Sequence, residues 1–327
     1  MKYTSEKLRI LCFGTLIVDI ITSKIKRIPH AGECVIGETT LNLGGNSFSS
    51  SVNLKRLIQD DALVYCYGNV GNDEFGKMFT KSLINENVEC IIEQSNSMRT
   101  STNLIIQEND FDRRYIFNSG ANDNATENAI CECISRIKPN IIVFGEIPSL
   151  GLSNSSFKNI LRKIGDLNDV IIILDLLVNE SEDYSWMVGY WDKIDIVHCN
   201  LGEGIHVTKM PDSKSICKWF INSKVKLPIV SDGKNGLDFE YKNEFRHVDP
   251  YTAIEIDATG AGDAALAGII SKIIDTHSIN EFKADLISNE EMFQIMQYGS
   301  ACGSIAVESS GCIGNITREL VNKRIST

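Results

Sequence analysis

This chain of 327 residues carries no Cys-x-x-Cys pair, no His-x-x-x-His pair, no excess of basic residues and no apolar run long enough to cross a bilayer. The first absence bears on its ten cysteines: Cys12, Cys34, Cys66, Cys90, Cys131, Cys133, Cys199, Cys217, Cys302 and Cys312. They are scattered, many in apolar, strand-like settings, and read as reduced, buried small hydrophobes rather than disulfides or zinc ligands. With only five histidines and none suitably spaced, a catalytic zinc site also lacks its ligands. A formal net charge of −11 opposes binding to nucleic acid or an anionic membrane, both of which need a basic field. The stretch from Met1 to Arg9 is polar, and Leu11-Cys12-Phe13 breaks at Gly14, so no signal-peptide pattern is present. Even the apolar helix around Ile269-Ile270 is interrupted by Ser271 and Lys272. Together these features predict a cytoplasmic protein without membrane or nucleic-acid partners.

There is, on the other hand, ample material for a core, with 43% hydrophobic residues, and no repeat, linker or low-complexity tract. Residues 1–327 are therefore read as one domain. Short β-rich runs alternate with amphipathic stretches. Strands are expected at Leu8–Phe13, Leu63–Tyr67, Ile141–Phe144, Val170–Leu174, Ile194–Val197, Leu227–Val230 and Ile254–Ile256. Helices are expected at Ser47–Ile58, Glu74–Asn85, Ser155–Ile164, Ser213–Ile221, Gly262–Ile274 and Glu290–Glu308. Buried strands separated by helices imply an α/β, doubly wound, mostly parallel sheet with helices on both faces. Two regions break the rhythm, Ile17–Leu43 and Asn87–Asn118, where successive strands alternate their side chains. They read as a separate small β-sheet, a lid over the main sheet, whose exposed strands offer a route to a homodimer.

The segment Asp257-Ala258-Thr259-Gly260-Ala261-Gly262-Asp263 concentrates the chemistry. A tight glycine turn opens a long apolar helix, and Gly260 and Gly262 let a ligand approach the backbone closely. Free N–H groups at the helix start, reinforced by its dipole, form an anion site. Asp263 lies in the first turn, beside that site. A carboxylate is a poor neighbour for a resting phosphate but a good one for a hydroxyl attacking it, because it accepts the proton as the nucleophile forms. Gly260-x-Gly262-x-x-Ala265 also fits a loose dinucleotide fingerprint. That reading puts Asp263 against a pyrophosphate, late in the chain with no strand–helix unit after it. A plain helix cap accounts for Asp257 or Thr259 but not for two glycines and a second aspartate. Upstream, Gly71-Asn72-Asp73-Glu74-Phe75-Gly76-Lys77-Met78 imitates a P-loop but places Met78 where the magnesium-binding hydroxyl belongs, and acids where phosphate would sit. It reads instead as a turn and a helix capped by Asn72 or Asp73.

The Asp257–Asp263 segment resembles the C-terminal signature of the ribokinase (pfkB) family of carbohydrate kinases, D-T-T-G-A-G-D, with Ala258 in place of the first threonine. Further matches follow in family order. Gly44-Gly45-Asn46 resembles the sugar-binding Gly-Gly, Gly68–Gly76 the G-x-V-G-x-D-x-x-G turn, and Gly120-Ala121-Asn122 a G-A-N at the lid's end. Asn200-Leu201-Gly202-Glu203 matches N-x-x-E, and Ser231–Gly236 the T-x-G-x-x-G nucleotide turn. The resemblance implies a ribokinase-like fold and transfer of phosphate from ATP to a sugar hydroxyl. It implies Asp263 as catalytic base with Gly260, Ala261 and Gly262 as the anion hole. Asn200, Glu203, Ser231, Asp232, Gly233, Gly236 and Thr259 would serve the nucleotide, Glu203 reaching Mg2+ through water. Asp257 would lie by a monovalent cation such as K+, and Asp19, Gly45, Asn46 and Glu146 would face the sugar. The family often has Asn where Ser49 stands, and D-x-N-x-R where this chain has Asp175-Leu176-Leu177-Val178-Asn179. Loss of that arginine argues against an acidic or phosphorylated substrate. The alternatives are a nucleoside kinase on the same fold and a non-catalytic sugar sensor, which would have no use for Asp263.

Overall fold

The computed structural model describes residues 7–108, 114–165, 167, 169–178 and 184–326. Its strands are β1 (Leu8–Phe13), β2 (Ile17–Ile25), β3 (Glu38–Gly44), β4 (Ala62–Gly71), β5 (Glu89–Ser95), β6 (Ser101–Glu108), β7 (Arg114–Asn118), β8 (Ile141–Gly145), β9 (Ile171–Asp175), β10 (Ile196–Asn200), β11 (Leu227–Ser231), β12 (Leu237–Tyr241) and β13 (Glu244–Val248). Its α-helices are α1 (Asn46–Ile58), α2 (Glu74–Asn85), α3 (Glu127–Ile137), α4 (Asn154–Ile164), α5 (Leu201–Thr208), α6 (Ser213–Asn222), α7 (Ala261–Thr276), α8 (Ile279–Lys283), α9 (Asn289–Ala306) and α10 (Arg318–Ile325). Asn179 of the substrate-loop comparison lies outside the described residues.

Among the described residues the main sheet has nine strands in the order β13-β12-β11-β10-β9-β8-β1-β4-β5. Pairing is parallel from β11 to β5, as in Ile10↔Ile141 and Ile141↔Ile171, and antiparallel for β12 and β13. Runs such as Ile171-Ile172-Ile173-Leu174 are apolar throughout because both faces are covered. Successive side chains take opposite sides. Ile171 and Ile173 join Leu54 of α1, Ile269 of α7 and Met296 of α9 in one core, whereas Ile172 and Leu174 join Ile134 of α3, Phe157 of α4 and Phe220 of α6 in another. The order reverses between β8 and β1, the kind of switch point at which parallel sheets hold ligands beyond their carboxyl ends.

Two expectations are corrected. Ile254–Ile256 forms no strand; Ile254 and Ile256 are 80% and 63% exposed. The Ile256 and Asp257 N–H groups donate instead to Val307 O, at 2.7 and 3.1 Å, so the segment is held by the end of α9 and not by a neighbouring strand. The small sheet, ordered β3-β2-β6-β7, does not absorb all of Asn87–Asn118. Strand β5 pairs with β4 at the edge of the main sheet, because it follows α2 as the next strand of a βαβ unit. The imitation P-loop is a capped turn: Asp73 accepts from Gly76 N at 3.0 Å and from Thr100 Oγ1 at 2.6 Å.

Candidate active site

Beyond the carboxyl ends of β8 to β11 lies a cavity of about 710 Å³ whose floor includes Asp263, Asp175, Asn46, Glu146 and His198. Each arrives there for a local reason. Asp263 sits in the first turn of α7, whose N-cap, Gly260, has a left-handed φ of 77°. A Cβ at that position would stand 2.6 Å from Cys312 Cα and 2.8 Å from Cys312 C, so only glycine lets the turn close against the loop after α9. Asp175 ends β9 and His198 lies opposite it on β10. Asn46 opens α1, and Glu146 follows β8.

These groups form a continuous network. Ser49 Oγ donates to Asp263 Oδ2 at 2.8 Å, and Asn46 Nδ2 donates to Asp263 Oδ1 at 2.6 Å and to Asp175 Oδ2 at 2.8 Å. His198 Nδ1 pairs with Asp175 Oδ1 at 2.7 Å. Thr15 Oγ1 donates to Glu146 Oε2, joining the ends of β1 and β8 at the switch point. Burial, then the charge of Asp175, pushes the Asp263 carboxyl well above the usual carboxylate range; Ser49 and His198 pull against this, and Glu146 adds to it. Burial disfavours the charged form of His198, but Asp175, Glu203 and Asp263 together raise its affinity for a proton. Glu203 is pushed up to about 7, chiefly by burial. A proton acceptor whose pKa is raised is the stronger base, provided the incoming hydroxyl reaches it.

The same cavity brings in Asn200, Glu203, Ser231, Gly233 and Gly236, together with the backbone of Gly260, Ala261 and Gly262. Asn200 caps α5, accepting from Glu203 N at 2.9 Å, while Glu203 Oε2 accepts from Asn200 N at 2.8 Å. Asp19, Gly45, Asp232, Asp257 and Thr259 do not line it. Asp19 accepts from Asn103 Nδ2 at 3.1 Å within the small sheet, and Asp232 Oδ2 accepts from Asn235 Nδ2 at 2.9 Å within its turn. Gly45, with φ 89°, turns the chain into α1. Asp257 accepts from Thr259 N and Oγ1 at 3.0 and 2.7 Å and from Gly311 N at 3.1 Å, tying the turn to the loop after α9. Thr15, His198 and the acceptor role of Asp175 were not foreseen. The available signal was their position at or after strand carboxyl ends. Leu176 and Leu177 supply an apolar wall, and Lys234 is the only lysine or arginine lining the cavity among the described residues.

The chain is similar to known proteins in family and in fold. A family model described as pfkB family carbohydrate kinase matches residues 7–318. A probable chloroplastic fructokinase of Arabidopsis thaliana is 24% identical over 333 residues, covering 98% of this chain and 83% of the relative. Fructokinase-2 of Solanum lycopersicum is 24% identical, covering 93% and 92%. Among solved structures, ribokinase from Giardia lamblia superposes with a TM-score of 0.81 at 16% identity, covering 98% and 99% of the two chains. Arabidopsis thaliana ribokinase, complexed with ribose and ATP, gives 0.76 at 20% identity, covering 99% and 100%. A Vibrio cholerae fructokinase with bound fructose, ADP and potassium ion gives 0.74 at 18%, covering 98% and 99%. These superpositions establish the ribokinase-like fold.

Proposed function

This chain belongs to the pfkB family of carbohydrate kinases, and from that premise we propose that it transfers the γ-phosphoryl group of ATP to a hydroxyl of a small, uncharged sugar, with Asp263 as base. The observation that carries this reading is the Asp263 carboxylate beside the amides opening α7, at the floor of an open cavity. An alcohol placed there meets its proton acceptor and an anion site together. Gly260, Ala261 and Gly262 stabilise charge on the migrating phosphoryl group through their backbone N–H groups. Ser231, Asp232, Gly233, Gly236 and Thr259 shape the nucleotide end. Glu146 faces the sugar, Gly45 turns the chain into α1 beside it, and the small sheet of β3, β2, β6 and β7, which carries Asp19, closes over it and excludes water.

The cavity fits a magnesium ion arriving with the nucleotide. No cluster of three or more His, Cys, Asp or Glu side chains able to hold a metal occurs among the described residues, and magnesium commonly takes one or two carboxylates plus phosphate oxygens. Glu203 and Asn200 are the residues that would hold it, Glu203 through water, and bound magnesium neutralises phosphate charge. Potassium belongs to the same reading, with Asp257 as its neighbour. The cytoplasm is the proposed location; no described helix is long and apolar enough to cross a membrane.

Substrate charge follows from the wall. Asp175, Glu146 and Asp263 gather at one end of the cavity with Leu176 and Leu177 beside them, and the sequence position at which the family motif has its acid-recognising arginine is Asn179. A coupled ATP-turnover screen over ribose, fructose, 2-keto-3-deoxygluconate, sugar phosphates and nucleosides tests the reading. Neutral sugars should lead. Asp263→Asn should then lower turnover by roughly 10²–10⁴-fold while ATP still binds. Near-parental turnover in that variant ends the assignment of the base, and a sugar phosphate as the best substrate ends the assignment of substrate class.

A further inference from the structure

Asn46 was expected to face the sugar, but its carboxamide has little left to offer one. An amide nitrogen carries two hydrogens. Those of Asn46 point to Asp175 Oδ2 at 2.8 Å and to Asp263 Oδ1 at 2.6 Å. Its oxygen is buried without a partner and lies against the last residue of β8. A Cβ built on Gly145 would overlap Asn46 Oδ1 and Cγ and stand 2.7 Å from Nδ2. Turning the amide over would set its oxygen against the carboxyl oxygens of Asp175 and Asp263, so the orientation with the nitrogen toward them is the one that satisfies both contacts. The anchor is held in turn, since Asp175 Oδ1 is paired with His198 Nδ1 at 2.7 Å. The far oxygen of Asp263 is held by Ser49 Oγ at 2.8 Å.

We infer that Asn46 is a positioning residue for phosphoryl transfer: backed by Gly145 and anchored on Asp175, its amide fixes the plane of the Asp263 carboxylate. A carboxylate bonded at both oxygens cannot swing about its Cβ–Cγ bond, and the lone pair that takes the proton keeps a constant bearing. Such fixing matters because displacements near 1 Å at a reacting group can cost about 10²-fold in rate. The chain departs from its family at the second clamp, where Ser49 is shorter than the common asparagine and takes only one oxygen of the base. Asn46 takes the other.

The inference rests on Asp263 being the base, which Asp263→Asn tests separately. Asn46→Ala and Gly145→Ala are compared with the parent on whichever of ribose and fructose the parent phosphorylates faster. ATP affinity by calorimetry serves as the control for folding. The expected result is a kcat lowered by about tenfold to 10²-fold, with both KM values and ATP affinity within about twofold of the parent. A merely structural role would not split kcat from KM in this way. A sugar KM raised about tenfold at parental kcat makes Asn46 a sugar ligand and overturns the inference, as does parental kcat in either folded variant. If Asn46→Ala loses ATP binding, Gly145→Ala decides alone, because it leaves every polar group in place. Loss of ATP binding in both makes Asn46 a folding residue, and the inference fails equally.

Discussion

Glu146 leaves β8 with a φ of 52°, a left-handed conformation that non-glycine residues adopt at a cost. Burial pushes its pKa up to about 7, against the Asn46 N–H that stabilises its charge and with the charges of Asp175, Asp19 and Glu203. The folded chain therefore holds this proton more tightly than the unfolded chain, in which the group titrates near its ordinary 4.5. Its contribution to stability is greatest below that value and falls as pH rises through 7. Glu146→Gln removes the titration, so its Tm relative to the parent should climb between about pH 5 and about pH 8. A difference that stays flat over that range refutes the shift. At this scale Asp263 was legible because two glycines and an acid stand together in one turn. Asp175 and His198 were not, because their pairing exists only once β9 and β10 are in register, and nothing in either local sequence announces its neighbour.

The turn before α7 and the loop after α9 depend on each other. Gly260 fits only because it lacks a Cβ, Asp257 reaches across to Gly311 N, and Cys312 Sγ donates to Leu43 O of β3 at 3.1 Å. One loop thus touches both the turn that opens α7 and a strand of the small sheet. Gly260→Ala adds a clash to an unfavourable φ and should cost about 1–3 kcal/mol of stability, while weakening ATP binding by displacing the amides. Denaturant midpoints and calorimetric ATP affinities measure the two effects, and parental values for both contradict this account. Elements with strong caps and periodic faces, such as α2 and α4, were readable from residues alone. Strands β12 and β13 were missed because their turn, Lys242-Asn243, takes φ values of 47° and 63° without the glycine that usually marks such a hairpin. Ile254–Ile256 misled in the opposite direction, having strand-like composition but no strand beside it.

Across the whole molecule, the alternation of buried strands and amphipathic helices was enough to foresee a doubly wound sheet. The division of strands between two sheets was less visible, since β5 and β6 are both half-buried and differ only in which partner they meet. The small sheet leaves Tyr115, Ile116 and Phe117 on β7 60%, 61% and 46% exposed, an apolar edge that favours pairing with a second copy. Sedimentation should find a dimer, and Ile116→Glu should return it to a monomer with the fold retained. A parent that sediments as a monomer at micromolar concentration excludes this arrangement.

Of the ten cysteines, only Cys34 is exposed, and it lies between β2 and β3 on the small sheet. Burial raises the pKa of Cys12, Cys66, Cys199 and Cys312, leaving those sulfurs both unreachable and protonated. Thiol-directed dyes require access and a thiolate, so they should settle first on this one sulfur. The protein thus brings its own attachment point for a fluorophore on the small sheet, and the proposed closure over a sugar can be tested in real time without engineering a handle.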